Sequence, residues 1–198
     1  MLSSKKYKFE KILFPFFRLL KKINISPNQV TISSIIFSIF VFYTIVTYHF
    51  LLGTVLLIIT SFLDSLDGFL ARDTKKVTKL GAYLDTIADR YVEFIVLLSL
   101  LFVNLPEIFF PIEVWIILSV FGSLMTTYSK SAFSEKTNKK ISGGLIERPE
   151  RMIILIMCVF FLNIELKYSS YILIIFALLT NITAIQRIIK SIKLCIRE

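Results

Sequence analysis

Apolar positions dominate the chain in long stretches, which short polar turns separate. A helix needs about 20 apolar residues to cross the hydrocarbon core of a bilayer. Six stretches approach or reach that length, and they cover residues 30–48, 54–70, 78–103, 112–133, 148–162 and 169–188. The fifth of these is the shortest. The pattern predicts an all-α polytopic membrane protein with six transmembrane helices, in one domain over residues 1–198 whose six-helix core covers 27–190.

The first 25 residues have a different pattern. Four lysines occur within the first eleven residues, and the apolar residues that follow are spaced by one, three and four positions. That spacing is typical of an amphipathic helix lying in the membrane interface, where anionic head groups hold its basic face. Ser26 can cap a helix and Pro27 suits a first helical turn, so a break before the first span is expected there. We expect residues 1–25 to form an interfacial helix with membrane lipids as its partner.

Composition and charge narrow the class of protein. The chain has 198 residues, 56% of them hydrophobic, and its mean hydropathy is +0.75. That profile excludes an ordinary soluble globular domain. The net charge of +9 would suit nucleic acid, but the basic residues concentrate in the N-terminal segment, the 72–79 turn, the 134–148 loop and the C-terminal tail. With six spans, these four segments all fall on one side of the membrane. The positive-inside rule therefore predicts that both termini are cytoplasmic in a cell membrane, and no nucleic-acid partner is expected.

Four aspartates lie in or beside the second and third apolar stretches. Asp64 and Asp67 are three positions apart, and Asp85 and Asp89 are four apart, so each pair shares one face of a helix. A charged side chain inside a membrane costs about 3 kcal/mol or more, and such residues usually serve a function. Carboxylate oxygens that converge on one site bind hard divalent cations. The spacing predicts a site for Mg²⁺, Mn²⁺ or Ca²⁺ at the cytoplasmic ends of two helices.

The stretch from Asp64 to Asp89 also fills every fixed position of the pattern D-x2-D-G-x2-A-R-x8-G-x3-D-x3-D. This pattern is the signature of the CDP-alcohol phosphotransferases, and the chain resembles that family. The resemblance implies that an alcohol attacks the phosphate of a CDP-linked lipid, that CMP leaves and that a phosphodiester forms. It also implies that the four aspartates, Asp64, Asp67, Asp85 and Asp89, bind metal, with two ions of Mg²⁺ or Mn²⁺ expected, and that Asp89 is the general base. The residues that would bind the CDP-linked lipid are Asn28, Thr31, Gly68, Arg72 and Thr78. Family members are commonly homodimers, so a homodimer is expected by analogy.

A second segment bears on the acceptor alcohol. Residues 144–151 read G-x-x-E-R-x-E-R, and Tyr128-x-Lys130 precedes them. Both resemble elements of prokaryotic phosphatidylinositol-phosphate and archaetidylinositol-phosphate synthases, although one basic position of the second element is missing here. The resemblance implies inositol phosphate as a phosphorylated polyol acceptor, bound by Lys130, Arg148 and Arg151. The alternatives are that these cations only set the membrane topology, or that glycerol phosphate or another polar alcohol is the acceptor.

Two other classes of protein stay open from the sequence. Intramembrane acids also mark ion pathways, so an ion or metal transporter is the main alternative from another class. Against it, no row of polar residues continues to the opposite side of the membrane. A non-catalytic membrane scaffold with an inherited site is the other alternative, and the intact motif argues against it.

Overall fold

The computed structural model describes residues 26–73, 78–139 and 141–196, except the side chains of residues 27 and 67–73. These residues form six α-helices. In chain order they are α1 (Pro27–Val46), α2 (Phe50–Asp73), α3 (Lys79–Ser99), α4 (Ile112–Thr137), α5 (Arg148–Phe161) and α6 (Leu166–Ile196). A short 3-10 helix, Leu100–Phe102, follows α3. The predicted all-α class is confirmed, and the helix expected over residues 1–25 lies outside the described residues.

The first helix begins where the sequence predicts. The Ser26 hydroxyl accepts a hydrogen bond from the Gln29 backbone at 3.3 Å, and the Gln29 side chain accepts one from the Ser26 backbone at 2.8 Å. This reciprocal arrangement satisfies donors that a helix start otherwise leaves unpaired. The second helix begins at Phe50, earlier than the predicted position 54. The reason is a turn at Tyr48, whose φ of 63° reverses the chain immediately after α1.

Two further caps fix the helix starts that lie beside the aspartates. The Thr78 hydroxyl accepts from the Gly81 backbone at 2.9 Å and thereby caps α3. At the start of α5, the Glu150 side chain accepts from the Glu147 backbone at 3.1 Å, and the two residues form a capping box. A carboxylate at a helix N-terminus is also favoured by the helix dipole. The starts of α3 and α5 are therefore fixed by side chains that lie within a few residues of predicted site residues.

Three helices among the described residues are long and apolar enough to cross a membrane. They are Asn28–Val46, Ile112–Thr137 and Leu166–Ile196, and a shorter apolar segment, Phe50–Leu66, lies in α2. Helix α5 has only 14 residues. Helix α3 is long enough, but charged residues interrupt its apolar sequence. Apolar length alone therefore identifies three spans, and the other helices combine apolar surface with charged positions.

The helices share one apolar core. Fully buried side chains come from five of them: Val41, Leu57, Leu97, Leu155 and Phe176. Because successive helices reverse direction through short connections, the end of α2, the start of α3 and the start of α5 can meet at one end of the core. This end of the bundle carries the aspartates.

Helices α4 and α6 approach each other closely at a glycine. A Cβ added to Gly122 would lie 2.5 Å from Thr180 Oγ1 and 2.6 Å from Asn181 Nδ2, so no larger residue fits there without movement. The Asn181 side chain also donates a hydrogen bond to the Leu118 carbonyl at 2.9 Å. Small residues and polar side-chain contacts of this kind are how helices associate within membranes. The α4–α6 pair forms a fixed support for the start of α5.

Candidate active site

Three of the four predicted acidic ligands converge. Asp64 on α2 and Asp85 and Asp89 on α3 each offer one carboxylate oxygen, and these atoms all lie within 4.8 Å of one another. Asp89 is buried, whereas Asp64 and Asp85 are partly exposed. Asp67 lies one helical turn after Asp64 on α2, and its side chain is outside the described residues. Three hard oxygen donors at this separation match the ligand chemistry of a divalent cation, so the described residues fit such an ion.

Arg148, the first residue of α5, lies among these acids. Its Nη2 atom forms ion pairs with Asp64 Oδ1 and Asp89 Oδ1, and its Nη1 atom lies 3.8 Å from Asp85 Oδ1. About a third of the Arg148 side chain is exposed, at 31%. The planar guanidinium presents several donors at once, which suits binding to more than one carboxylate or to a phosphate. One cation therefore joins α5 to the acids of α2 and α3.

A second layer of charges lies one helical turn deeper. Glu93 follows Asp89 by four residues on α3, and Arg151 follows Arg148 by three residues on α5. Arg151 Nε lies 3.4 Å from Glu93 Oε1, and the side chains of both residues are 4% exposed. Arg90 Nη1 donates to Glu93 Oε2 at 2.6 Å. The predicted acceptor residue Arg151 is thus buried against an acid, whereas Arg148 reaches the partly exposed cluster of Asp64, Asp85 and Asp89.

The loop before α5 is fastened to α6. Arg187 Nε donates to the Gly143 carbonyl at 2.9 Å, and Lys190 Nζ donates to the Ser142 carbonyl at 2.7 Å. Gly144 has a φ of +134°, and a Cβ there would lie 2.6 Å from Thr183 Cγ2. Only glycine adopts this backbone readily and fits against α6 so closely. These contacts hold the loop that leads into Arg148.

The predicted CDP-lipid residues are placed in two groups. A Cβ added to Gly81 would lie 3.1 Å from Thr78 Oγ1 and 3.2 Å from Asn28 Oδ1, so Asn28 and Thr78 meet around this glycine. Thr31 is buried one turn further along α1. Gly68 and Arg72 lie on α2, and the side chain of Arg72 is outside the described residues. The start of α1 and the start of α3 therefore come together at Gly81.

Lys130, the third predicted acceptor residue, is exposed on α4. Glu93, Arg90 and Arg187 have no role in the function predicted from the sequence. A signal for them was present, since each is a charged residue within an otherwise apolar helix. Arg90 and Glu93 pair with each other on α3, but their further partners, Ser123 and Arg151, lie on α4 and α5. Arg187 binds carbonyls of the loop before α5 and of α4. Helical spacing within one segment does not identify these partners on other elements.

The profile of the CDP-alcohol phosphatidyltransferase family matches residues 24–184. The chain belongs to this family. The predicted resemblance is confirmed, and the chain is an enzyme of phospholipid synthesis that acts as a transferase. Membership in a transferase family also removes the main support for the transporter alternative. Apolar helices in a lipid-synthesising family indicate a membrane protein.

Relatives with named activities cover most of the chain. Archaetidylinositol phosphate synthase of Pyrococcus horikoshii is 31% identical over 195 residues, which is 98% of this chain and 97% of the relative. Phosphatidylinositol phosphate synthase of Corynebacterium glutamicum is 29% identical over 157 residues, or 72% of this chain and 66% of the relative. The crystal structure of Mycobacterium tuberculosis phosphatidylinositol phosphate synthase with manganese and citrate is 26% identical, with a TM-score of 0.78 over 89% of this chain and 87% of that one. Manganese in that relative and the acidic cluster here together support divalent-cation binding in this CDP-alcohol phosphatidyltransferase.

Proposed function

We propose that this CDP-alcohol phosphatidyltransferase transfers the lipid-phosphate group of a CDP-linked lipid to inositol phosphate and releases CMP. The observation that carries the proposal is the placement of Arg148 in the cluster of Asp64, Asp85 and Asp89. A guanidinium there lies beside the acids that would support the transfer, where an acceptor phosphate needs a cation. The named relatives, an archaetidylinositol phosphate synthase and a phosphatidylinositol phosphate synthase, support the same acceptor.

The acids and arginines divide the work of the transfer. The acceptor hydroxyl oxygen forms a bond to the phosphorus next to the lipid, the bond from that phosphorus to CMP breaks, and Asp89 takes the hydroxyl proton. Asp64, Asp67, Asp85 and Asp89 would hold two ions, Mg²⁺ or Mn²⁺. Bound divalent ions supply positive charge that stabilises the attacking and leaving oxygens of such a displacement. The CDP part would be bound by Asn28, Thr31, Gly68, Arg72 and Thr78.

The three predicted acceptor residues differ in what supports them. Arg148 has the strongest support, because its side chain is partly exposed and lies in the acidic cluster. Lys130 is exposed, and its role as a phosphate contact stays a prediction. Arg151 is buried, so contact with the acceptor would require it to leave Glu93. We therefore assign the acceptor phosphate first to Arg148.

The proposed topology has six crossings, with both termini and the acidic cluster at the cytoplasmic face. The six helices and the alternation of basic segments support this arrangement. A CDP-linked substrate made inside the cell would reach such a site directly. A homodimer, common in the family, is proposed on that analogy alone.

Glycerol phosphate is the second candidate acceptor. A glycerol-3-phosphate phosphatidyltransferase of Aquifex aeolicus is 35% identical over 88 residues, which is 42% of this chain and 49% of the relative. Its match covers a smaller part of this chain than the matches of the archaetidylinositol phosphate and phosphatidylinositol phosphate synthases do. Arg148 would bind the phosphate of either acceptor, so the geometry of the described residues does not separate them.

The test is a panel of acceptors with one CDP-linked lipid. Purified chain in detergent would be supplied with Mg²⁺ or Mn²⁺ and with inositol phosphate, glycerol phosphate or free inositol, and CMP release would be measured. We expect turnover with inositol phosphate well above that with free inositol, and loss of turnover after exhaustive chelation. Preference for glycerol phosphate would assign the second candidate. Equal rates with inositol and inositol phosphate would contradict the phosphate-recognition role of Arg148.

A further inference from the structure

Glu93 is a buried acid for which the proposed transfer has no chemical step. Its carboxylate accepts a hydrogen bond from Arg90 Nη1 at 2.6 Å through one oxygen and lies 3.4 Å from Arg151 Nε through the other. Its side chain is only 4% exposed. An acid buried at this depth is costly unless cations surround it, and the carboxylate of Glu93 lies between two arginines.

The partners of Glu93 connect three helices. Arg151 on α5 donates through Nη1 to the Ser123 carbonyl at 3.2 Å and to the Thr126 hydroxyl, both on α4. Arg90 on α3 donates through Nη1 to the Ser123 hydroxyl at 3.2 Å. The carboxylate of Glu93 is thus the anion between two arginines that α4 also holds. This arrangement fixes the rotation and depth of the first turn of α5 relative to α3.

The first turn of α5 also carries Arg148. Arg148 and Arg151 are three residues apart and share one face of the helix, so a rotation that moves one side chain moves the other. Arg90 adds a second connection, because its Nη2 atom lies 3.9 Å from Asp89 Oδ2. Glu93 is therefore linked through Arg151 to the position of Arg148 and through Arg90 to the carboxylate of Asp89.

We propose that Glu93 is a positioning residue for the transfer: it anchors Arg151 and Arg90 and so holds Arg148 in register with the acidic cluster. It does not touch the reacting atoms. This inference rests on the proposed function, since it concerns the cation assigned to the acceptor phosphate. A change at Glu93 should therefore affect the acceptor site. It should affect the CDP-lipid site less, because the residues predicted for that site lie on α1, α2 and the start of α3.

The test compares Glu93→Gln with Glu113→Gln in the full-length chain, using steady-state kinetics with both substrates varied. Glu93→Gln keeps the size of the side chain and removes its charge. Glu113 is an exposed acid in the first turn of α4 and serves as the matched control. For Glu93→Gln we expect the acceptor KM to rise roughly tenfold or more, kcat to fall by less, and the CDP-lipid KM to stay within about threefold of wild type. The control should leave all three parameters unchanged.

A second variant keeps the test decisive if Glu93→Gln does not fold. Glu93→Asp keeps the buried negative charge but shortens its reach to Arg151, so the chain should fold with an acceptor KM between wild type and Glu93→Gln. If folded Glu93→Gln has a wild-type acceptor KM, the inference is overturned. If Glu93→Gln does not fold, a wild-type acceptor KM in Glu93→Asp overturns it, and a raised KM supports it. An equal rise of both substrate KM values would also overturn it, because that is the result of a general structural defect.

Failure of the proposed function has a different signature. In that case the wild-type chain itself would not use inositol phosphate, and the same comparison would be made with the phosphorylated acceptor that it does use. Failure of the Glu93 inference appears instead as equal acceptor KM values in an active wild type and its variant. The activity of the wild-type chain therefore tests the proposed function, and the comparison of wild type with the Glu93 variants tests the role of Glu93.

Discussion

Replacing Arg148 with alanine should change metal binding and acceptor binding in opposite directions. The guanidinium of Arg148 lies against the carboxylate oxygens of Asp64, Asp85 and Asp89, which are the atoms that a divalent cation would coordinate. The cation and Arg148 therefore compete for the same oxygens. Arg148→Ala removes the competitor, but it also removes the charge proposed to bind the acceptor phosphate.

The size of the effect can be worked from the contacts. A hydrogen bond to a charged group contributes about 1.5–3 kcal/mol, and about 1.4 kcal/mol corresponds to a tenfold change in affinity. Because 31% of the Arg148 side chain is exposed, water screens its contacts and we take the lower end for the whole side chain. The affinity for Mn²⁺ should then rise about tenfold in Arg148→Ala. On the same reasoning the acceptor KM should rise about tenfold, with the CDP-lipid KM unchanged at saturating Mn²⁺.

Mn²⁺ binding can be measured without turnover. Purified protein would be titrated with Mn²⁺, and the free ion would be followed by electron paramagnetic resonance. Arg148→Lys keeps a positive charge and should lie closer to wild type. Lys136→Ala is the matched control, since Lys136 is an exposed cation 3.2 Å from Glu135 and outside the acidic cluster. Mn²⁺ affinity in Arg148→Ala that equals or falls below the wild-type value would refute the competition.

Three further predictions concern the base, the topology and the packing. Asp89→Asn should lower kcat by roughly 10²–10⁴-fold while most CDP-lipid binding is retained, whereas Asp64→Asn should weaken metal and nucleotide binding together; a near-wild-type rate for Asp89→Asn would remove it from the role of base. Reporter tags at the two termini should both be cytoplasmic, and tags on opposite sides would show that one crossing is miscounted, with the 14-residue α5 the first to re-examine. Gly122→Ala should destabilise the fold by about 1–3 kcal/mol, measured as a lower unfolding temperature, because its Cβ would lie 2.5 Å from Thr180 Oγ1; an unchanged temperature would mean that α4 and α6 separate freely.

The helices and the acids were predictable because both depend on local spacing. Long apolar stretches indicate helices, and acids three or four residues apart share a helical face. The described residues accordingly form six α-helices and bring Asp64, Asp85 and Asp89 within reach of one ion. The side chain of Asp67 is outside the described residues, so its part in the cluster stays a prediction.

The depth of each charge was not predictable in the same way. Arg148 and Arg151 share one face of α5, and the resemblance implies that both bind the acceptor. Three residues of helix rise by about 4.5 Å, which is enough to separate a partly exposed position from a buried one. Which acid each arginine meets depends on how α3 and α5 are placed against each other, and that placement is a property of the packed bundle. The pairing of Arg151 with Glu93 could therefore be seen only in the structure.

The net charge of the two layers is a reason for ions and substrates to bind together. Among the described side chains of the site, four carboxylates face three guanidiniums. The carboxylates belong to Asp64, Asp85, Asp89 and Glu93, and the guanidiniums belong to Arg90, Arg148 and Arg151. Asp67, the fourth proposed ligand, adds a fifth carboxylate, so the full set is two negative charges from balance. One divalent cation neutralises it, and a second leaves two positive charges. Burying such an excess is unfavourable unless anions accompany it. The pyrophosphate of a CDP-linked lipid and the phosphate of the acceptor supply those anions, and binding of cations should therefore strengthen binding of both substrates.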